Sequence, residues 1–170
     1  MTSPAVSTGP GTRAKAKRFD SLEQEAFLHL WRTYDRLRIE EDRLFESFGL
    51  TPQQYNALRL LRARHPDSLP TLALAERLVS RAPDITRLLD KLEEHKLIRR
   101  DRSVGNRRVV EVRITDVGLK LSETLDEPVR QCHARQLGHV PRARLRQLIS
   151  LLQEARRPHE APDGAWAEKS

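Results

Sequence analysis

From Asp20 to Phe48, apolar side chains recur at Leu22, Phe27, Leu30, Trp31, Tyr34, Leu37, Leu44, Phe45 and Phe48. The spacing is helical and the stripe is wide, which predicts one long amphipathic helix that Gly49 ends. Thr51-Pro52-Gln53-Gln54 then offers an N-cap, a proline at the first helical position and a capping-box partner. A second helix is expected from there through Arg64, with Tyr55, Leu58 and Leu61 inward, and His65-Pro66-Asp67 breaks it. A short helix should follow from about Pro70 to Val79, packed through Leu72, Ala75 and Leu78.

Residues 79 to 100 read VSRAPDITRLLDKLEEHKLIRR. After a tight Ser80-Arg81 connection they predict a helix of about 14 residues, roughly 21 Å long. Pro83 falls in its first turn, where a missing N–H does no harm. Ile85, Leu88, Leu89 and Leu92 form the inward stripe, while Asp84, Thr86, Arg87, Asp90, Lys91 and Glu94 face outward.

Leu97–Arg100 and Arg107–Ile114 then read as a hairpin turning at SVGN. Its second strand alternates Val110, Val112 and Ile114 against Val109, Glu111 and Arg113, the pattern of a half-buried edge. Thr115 should cap a long helix through about Gly138, kinked at Pro128. A last helix is expected from Pro141 to about Arg157, with Leu145, Leu148, Ile149 and Leu152 inward.

Composition narrows the class. The 170 residues suffice for one domain with a real core, and 32% charged against 5% aromatic residues favours a helix-rich protein. No apolar run approaches the roughly 18 residues of a membrane span, and the N-terminus lacks the apolar core of a signal peptide, so a cytoplasmic location is expected. Residues 1–18 and 158–170 read as disordered tails around a single domain at 19–157. The formal charge is +7, but Arg13, Lys15, Lys17 and Arg18 of the N-terminal tail carry +4 of it and leave only +3 for the rest. A nucleic-acid signal must therefore come from local placement of charge.

Candidate chemistry is sparse. HExxH, nucleophile-elbow and phosphate-loop patterns are missing from the sequence, and its six histidines are scattered. Cys132, His133 and His139 match no standard zinc spacing, and Cys132, alone, reads as a buried thiol. Neither an enzyme nor a cofactor or metal site is expected.

Two short helices joined by a tight turn and followed by a basic hairpin describe a winged helix-turn-helix: mainly α with a small β-wing. Such a helix fits the major groove of double-stranded DNA, about 12 Å wide, and reaches base edges through its N-terminal half. The reading surface would comprise Ala82, Pro83, Asp84, Thr86, Arg87 and Lys91, with Arg87 as the candidate for a guanine. Asn106, Arg107 and Arg108 at the wing would lie near the adjacent minor groove. Arg99, Arg100 and Arg102 would hold phosphates or stay solvated.

With these residues the chain resembles the MarR family of bacterial transcription regulators from about Phe19 to Arg157. The resemblance rests on LALAERLVSRAPDITRLLDKLEEHKLIRR, on the wing NRRVVEVRIT and on the T-x-x-G of Thr115 to Gly118. The family wing usually reads Asp-x-Arg, so Arg108 matches the inserting arginine and Asn106 takes the place of the orienting aspartate. The family often has glycine where Lys96 stands. A left-handed residue there would strain lysine by about 1 kcal/mol, so the helix is expected to close differently.

The resemblance implies a homodimer in which dimerisation helices at 20–48 and 116–157 flank the winged helix-turn-helix at about 51–115. It further implies a repressor on a pseudo-palindromic operator, released by a small-molecule effector. Trp31 and Tyr34 are then either dimer core or effector-pocket residues. The alternative is a winged-helix adaptor whose same helix docks a protein, against which the Arg107-Arg108 pair argues.

Overall fold

A computed structural model describes residues 19–79, 84–102, 105, 106 and 108–160. Among these residues six α-helices and a small sheet follow one another as α1 (Leu22–Glu46), α2 (Pro52–Arg62), β1 (Leu69–Pro70), α3 (Thr71–Arg77), α4 (Ile85–Glu94), β2 (Ile98–Arg102), β3 (Val110–Ile114), α5 (Asp116–Leu137) and α6 (Arg142–Arg156). The chain divides into two units, one through Arg36 and one from Leu37 onward.

The helix boundaries follow their end chemistry. Gly49 takes φ +69°, and the N–H groups of Gly49 and Leu50 close back on the carbonyls of Glu46 and Phe45 at 3.0 and 2.9 Å. This is the Schellman ending of α1. The Thr51 hydroxyl accepts from the Gln54 N–H at 3.2 Å, and the Gln54 side chain accepts from the Thr51 N–H at 2.8 Å, so the capping box of α2 is complete. α2 stops at Arg62, two residues early.

The sheet is antiparallel with order β1-β3-β2. β1 was not foreseen: Leu69 and Pro70 pair with Val112 and Glu111 of β3, and two residues leave no alternation to read. The same pairing sets the phase of α3. Thr71 donates its hydroxyl to the Val110 carbonyl at 3.1 Å, and the helix that starts there buries Leu74, with Leu78 buried just past its end. Leu72, expected to pack inward, is instead 75% exposed.

Leu58, Leu61, Leu74, Leu89, Leu92, Val112 and Leu125 form the fully buried centre, joining α2, α3, α4, β3 and α5. Several polar ties fasten α5 around it. Arg62 of α2 grips the Asp126 carboxylate through two bonds of 2.7 and 2.8 Å and donates to the Ser122 carbonyl. Gln136 donates to the Leu37 carbonyl at 2.8 Å, beside the pairs Arg135–Glu40 and His133–Glu41, both at 3.3 Å. α5 runs unbroken through Pro128.

The end of α4 corrects the expectation for Lys96. Its φ is +59°, and the N–H groups of Lys96 and Leu97 bond the carbonyls of Glu93 and Leu92 at 2.8 and 2.9 Å. The helix therefore closes by the same Schellman pattern as α1, with lysine bearing the left-handed strain. What holds it is α5. Thr115 donates its hydroxyl to the Lys96 carbonyl at 2.7 Å and its N–H to the Leu97 carbonyl at 3.1 Å, while its hydroxyl oxygen caps the Gly118 N–H. A Cβ on Gly118 would lie 2.2 Å from the Leu97 oxygen and 2.8 Å from Ile114 Cγ1, so only glycine fits.

Part of the expected core is exposed in the single chain. On α1, Phe27, Leu30, Trp31 and Tyr34 are open, and α6 buries no residue, with Leu148 and Ile149 exposed and Leu145 and Leu152 only half-buried.

Urea unfolding checks the α4–α5 junction. Lys96→Gly is expected to raise stability by up to about 1 kcal/mol, relief of strain outweighing the added freedom of the unfolded chain. Gly118→Ala is expected to lower it by at least about 2 kcal/mol, since backbone must move.

Candidate nucleic-acid interface

α4 is ten residues long, roughly 15 Å at 1.5 Å per residue, shorter than its sequence pattern suggested. It begins at Ile85 because Asp84 caps it: the Asp84 carboxylate accepts the Arg87 N–H at 2.9 Å. Asp84, assigned by sequence to the reading surface, thus has a structural partner. Pro83, expected inside the first turn, lies outside the described residues, as do Ala82 and Arg107.

Leu89 and Leu92 anchor α4 in the core, with Ile85 and Leu88 packed against it. That leaves Thr86, Arg87, Asp90, Lys91 and Glu94 exposed, in the phase the stripe predicted. Among the described residues no acid pairs with the Arg87 guanidinium. Lys91 does have one, Glu94 Oε2 at 2.7 Å, which holds the Glu94 carboxyl below its usual range.

At the wing, β2 and β3 pair from Ile98↔Ile114 to Arg102↔Val110, so β2 is longer and β3 shorter than expected. Beyond the paired ends, the Asn106 carboxamide oxygen accepts the Arg108 N–H at 3.1 Å, and its carbonyl accepts the Val109 N–H at 2.9 Å. Asn106 therefore shapes the backbone under Arg108, an Asx-type turn that needs an acceptor but no charge. The Arg108 side chain is exposed.

Between helix and wing stands a group that sequence reasoning missed. The Arg100 N–H donates to Glu93 Oε1 at 3.0 Å, its Nε and Nη2 donate to Glu93 Oε2 at 2.9 and 2.6 Å, and Nη2 also reaches Asp90 Oδ1 at 2.6 Å. The pairing lowers the Glu93 carboxyl below its ordinary range and raises the Arg100 guanidinium. Arg100 is neither solvated nor free for phosphate. The available signal was strand phase: Arg100 pairs across from buried Val112, on the inward side of β2. Arg99, on the opposite phase, pairs with Asp101 at 2.8 Å.

The candidate effector residues separate. Trp31 lines an open groove of about 560 Å³ with Phe19, Leu28, His29, Arg32, Asp35 and Arg36, whereas Tyr34 does not line it. Cys132 is fully buried, and burial pushes its thiol up, away from the reactive thiolate.

Two short helices followed by a hairpin that carries an exposed Arg108 define the class: a winged-helix fold. The family model described as MarR family matches residues 50–110. The HTH-type transcriptional repressor MdtR of Bacillus subtilis is 32% identical over 110 residues, covering 64% of this chain and 70% of that protein. The crystal structure of a MarR transcription factor from Planctomyces limnophilus is 57% identical, with a TM-score of 0.64 over 80% of this chain and 98% of that one. MepR of S. aureus, solved as a DNA complex, shares the fold at 24% identity and a TM-score of 0.68, over 76% of this chain and 95% of that one. The chain belongs to the MarR family of transcriptional regulators, a family of regulators and not of enzymes.

The capping role of Asp84 is separable from any contact with DNA. Asp84→Ala is expected to lose about 1 kcal/mol of stability in thermal or urea unfolding, and Asp84→Asn only a few tenths, because asparagine caps as well.

Proposed function

We propose that this chain is a homodimeric repressor that reads a pseudo-palindromic operator in double-stranded DNA and is released from it by a small-molecule effector. The observation that carries the reading is the pairing of an exposed Arg87, without an acid partner among the described residues, with an exposed Arg108 on a wing tied to the same helix. Arg87 stands in the first turn of α4, where a recognition helix meets base edges, and bidentate arginine is the commonest specific contact to guanine. Arg108 stands where a wing meets the minor groove. Thr86 and Lys91 extend the face, and Ala82, Pro83, Asn106 and Arg107 complete it in sequence.

The dimer is supported by apolar side chains that the single chain leaves in water, Phe27, Leu30 and Trp31 on α1 and Leu148, Ile149 and Leu151 on α6. A two-fold axis would present two reading helices to half-sites one or more helical turns apart, hence the pseudo-palindrome. Repression accords with the name of MdtR, and DNA binding with the solved MepR complex. Release by a ligand accords with the description of Bordetella bronchiseptica BpsR, whose DNA binding is regulated by 6-hydroxynicotinic acid. The groove beside Trp31 is the proposed effector contact. The effector acts by binding better to a dimer whose reading helices no longer match the operator spacing.

A gel shift on the DNA upstream of its own gene, repeated across salt, tests the reading. Affinity is expected to fall roughly 10³–10⁵-fold between about 50 and 200 mM salt if about 6–10 phosphates are contacted. Arg87→Ala should cost about 1–3 kcal/mol and relax preference at one base pair, while Arg108→Ala should weaken binding most where A·T pairs flank the half-site. A flat salt response would instead fit a protein-docking adaptor and end the proposal.

A further inference from the structure

We infer that Arg100 is a positioning residue for DNA recognition: by joining β2 to Asp90 and Glu93 of α4, it fixes the wing relative to the reading helix and masks acids that would repel phosphate. The inference rests on the DNA reading above. Two features of the site carry it.

The first is geometry. Arg100 holds one Glu93 carboxylate by both its backbone N–H and its side chain, so the bond fixes the strand as well as the guanidinium. Asp90 and Glu93 lie three residues apart on α4, and one planar fork bridges that turn. The Arg100 side chain is only 24% exposed, against 55% for Lys91. Beyond Arg100 the wing runs out through Asp101 and Arg102, at about 3.3 Å per residue, before it turns. A rotation at the tie is therefore amplified along the strand toward Arg108.

The second is charge. Ionised side chains on α4 itself are Arg87 and Lys91 against Asp90, Glu93 and Glu94, an acid excess on a helix meant to approach a polyanion. Arg100 cancels that excess from outside the helix. Lysine at this position would keep the charge and lose the fork, which separates the two roles.

Affinity is measured by fluorescence anisotropy at fixed salt, on the upstream DNA and on a scrambled duplex, for the wild type, Arg100→Lys, Arg100→Ala, Arg108→Ala and the double variant Arg100→Lys/Arg108→Ala. Amide hydrogen exchange without DNA is followed alongside. Arg100→Lys should bind the scrambled duplex within about twofold of wild type and the operator about tenfold more weakly; Arg100→Ala should weaken both. Arg108→Ala should cost little further in the Arg100→Lys background, since a displaced wing has already lost its contact. Exchange in Arg100→Lys should quicken in the wing and stay unchanged in α5.

Full additivity of Arg100→Lys and Arg108→Ala, or an unchanged wing in hydrogen exchange, would overturn the inference. If the wild type does not distinguish operator from scrambled DNA, the DNA reading fails instead, and the exchange result alone decides whether Arg100 sets the wing. Should Arg100→Ala fail to fold, Glu93→Gln takes its place. That variant removes only the Glu93 charge, so Glu93→Ala is measured beside it; the latter takes away the acceptor of both the Arg100 N–H and its guanidinium, and the same loosened wing is expected.

Discussion

The carbonyl oxygen of Leu97 is the point on which the winged-helix part of this protein turns. It accepts the Thr115 N–H, and the first turn of α5 passes so close that Gly118 has no room for a Cβ. One residue earlier, the Lys96 carbonyl takes the Thr115 hydroxyl. Three elements meet there: the end of α4, the base of β2 and the start of α5. Because α5 is paired with α2 through Arg62 and Asp126, the junction ties the end of α4 to the core. The strain accepted at Lys96 follows from this arrangement, since bonds on both sides over-determine its conformation.

The parts of the fold that are set by short-range chemistry could be read from the sequence. Gly49 ends α1, Thr51 and Gln54 start α2, Thr115 caps α5, and the stripe of Ile85, Leu88, Leu89 and Leu92 fixes which side of α4 faces out. Each depends on residues within four or so of one another. The misreadings share the opposite property. Leu72 was turned outward by β1, whose pairing with β3 spans about 40 residues of sequence. Lys96 was given an ordinary ending because propensity disfavours a left-handed lysine, and the force that overrides it comes from Thr115, 19 residues away. Arg100 was counted as a surface cation although its partners sit one helix earlier. Long-range contacts decide what local pattern leaves open.

The candidate site shows the same division. Arg87, Thr86 and Lys91 are exposed because helical phase requires it. The role of Asp84 was less legible, since an acid before a helix can cap it or face a ligand, and here the 2.9 Å bond to the Arg87 N–H gives it the cap. Asn106 departs from the aspartate usual in the family's wing, yet its oxygen still organises the turn under Arg108. An Asx-type turn asks for an acceptor oxygen, which the carboxamide supplies without a charge.

Net charge is a poor guide to how such a protein meets DNA. Residues 1–18 carry more than half of the +7, and α4 carries more acid than base. Asp90 and Glu93 would repel a polyanion approaching α4, were those acids not already paired with Arg100. Their place on α4 makes sense if they serve the wing: an arginine on β2 finds carboxylates on α4 to grip, and the proposed effect of the grip is to align Arg87 and Arg108 on separate elements. The proposed reading surface then rests on three charges paired with one another, Arg100, Asp90 and Glu93, beside an Arg87 and an Arg108 with which no acid pairs among the described residues. Specificity of that kind depends on where the free guanidinium groups stand far more than on how many there are.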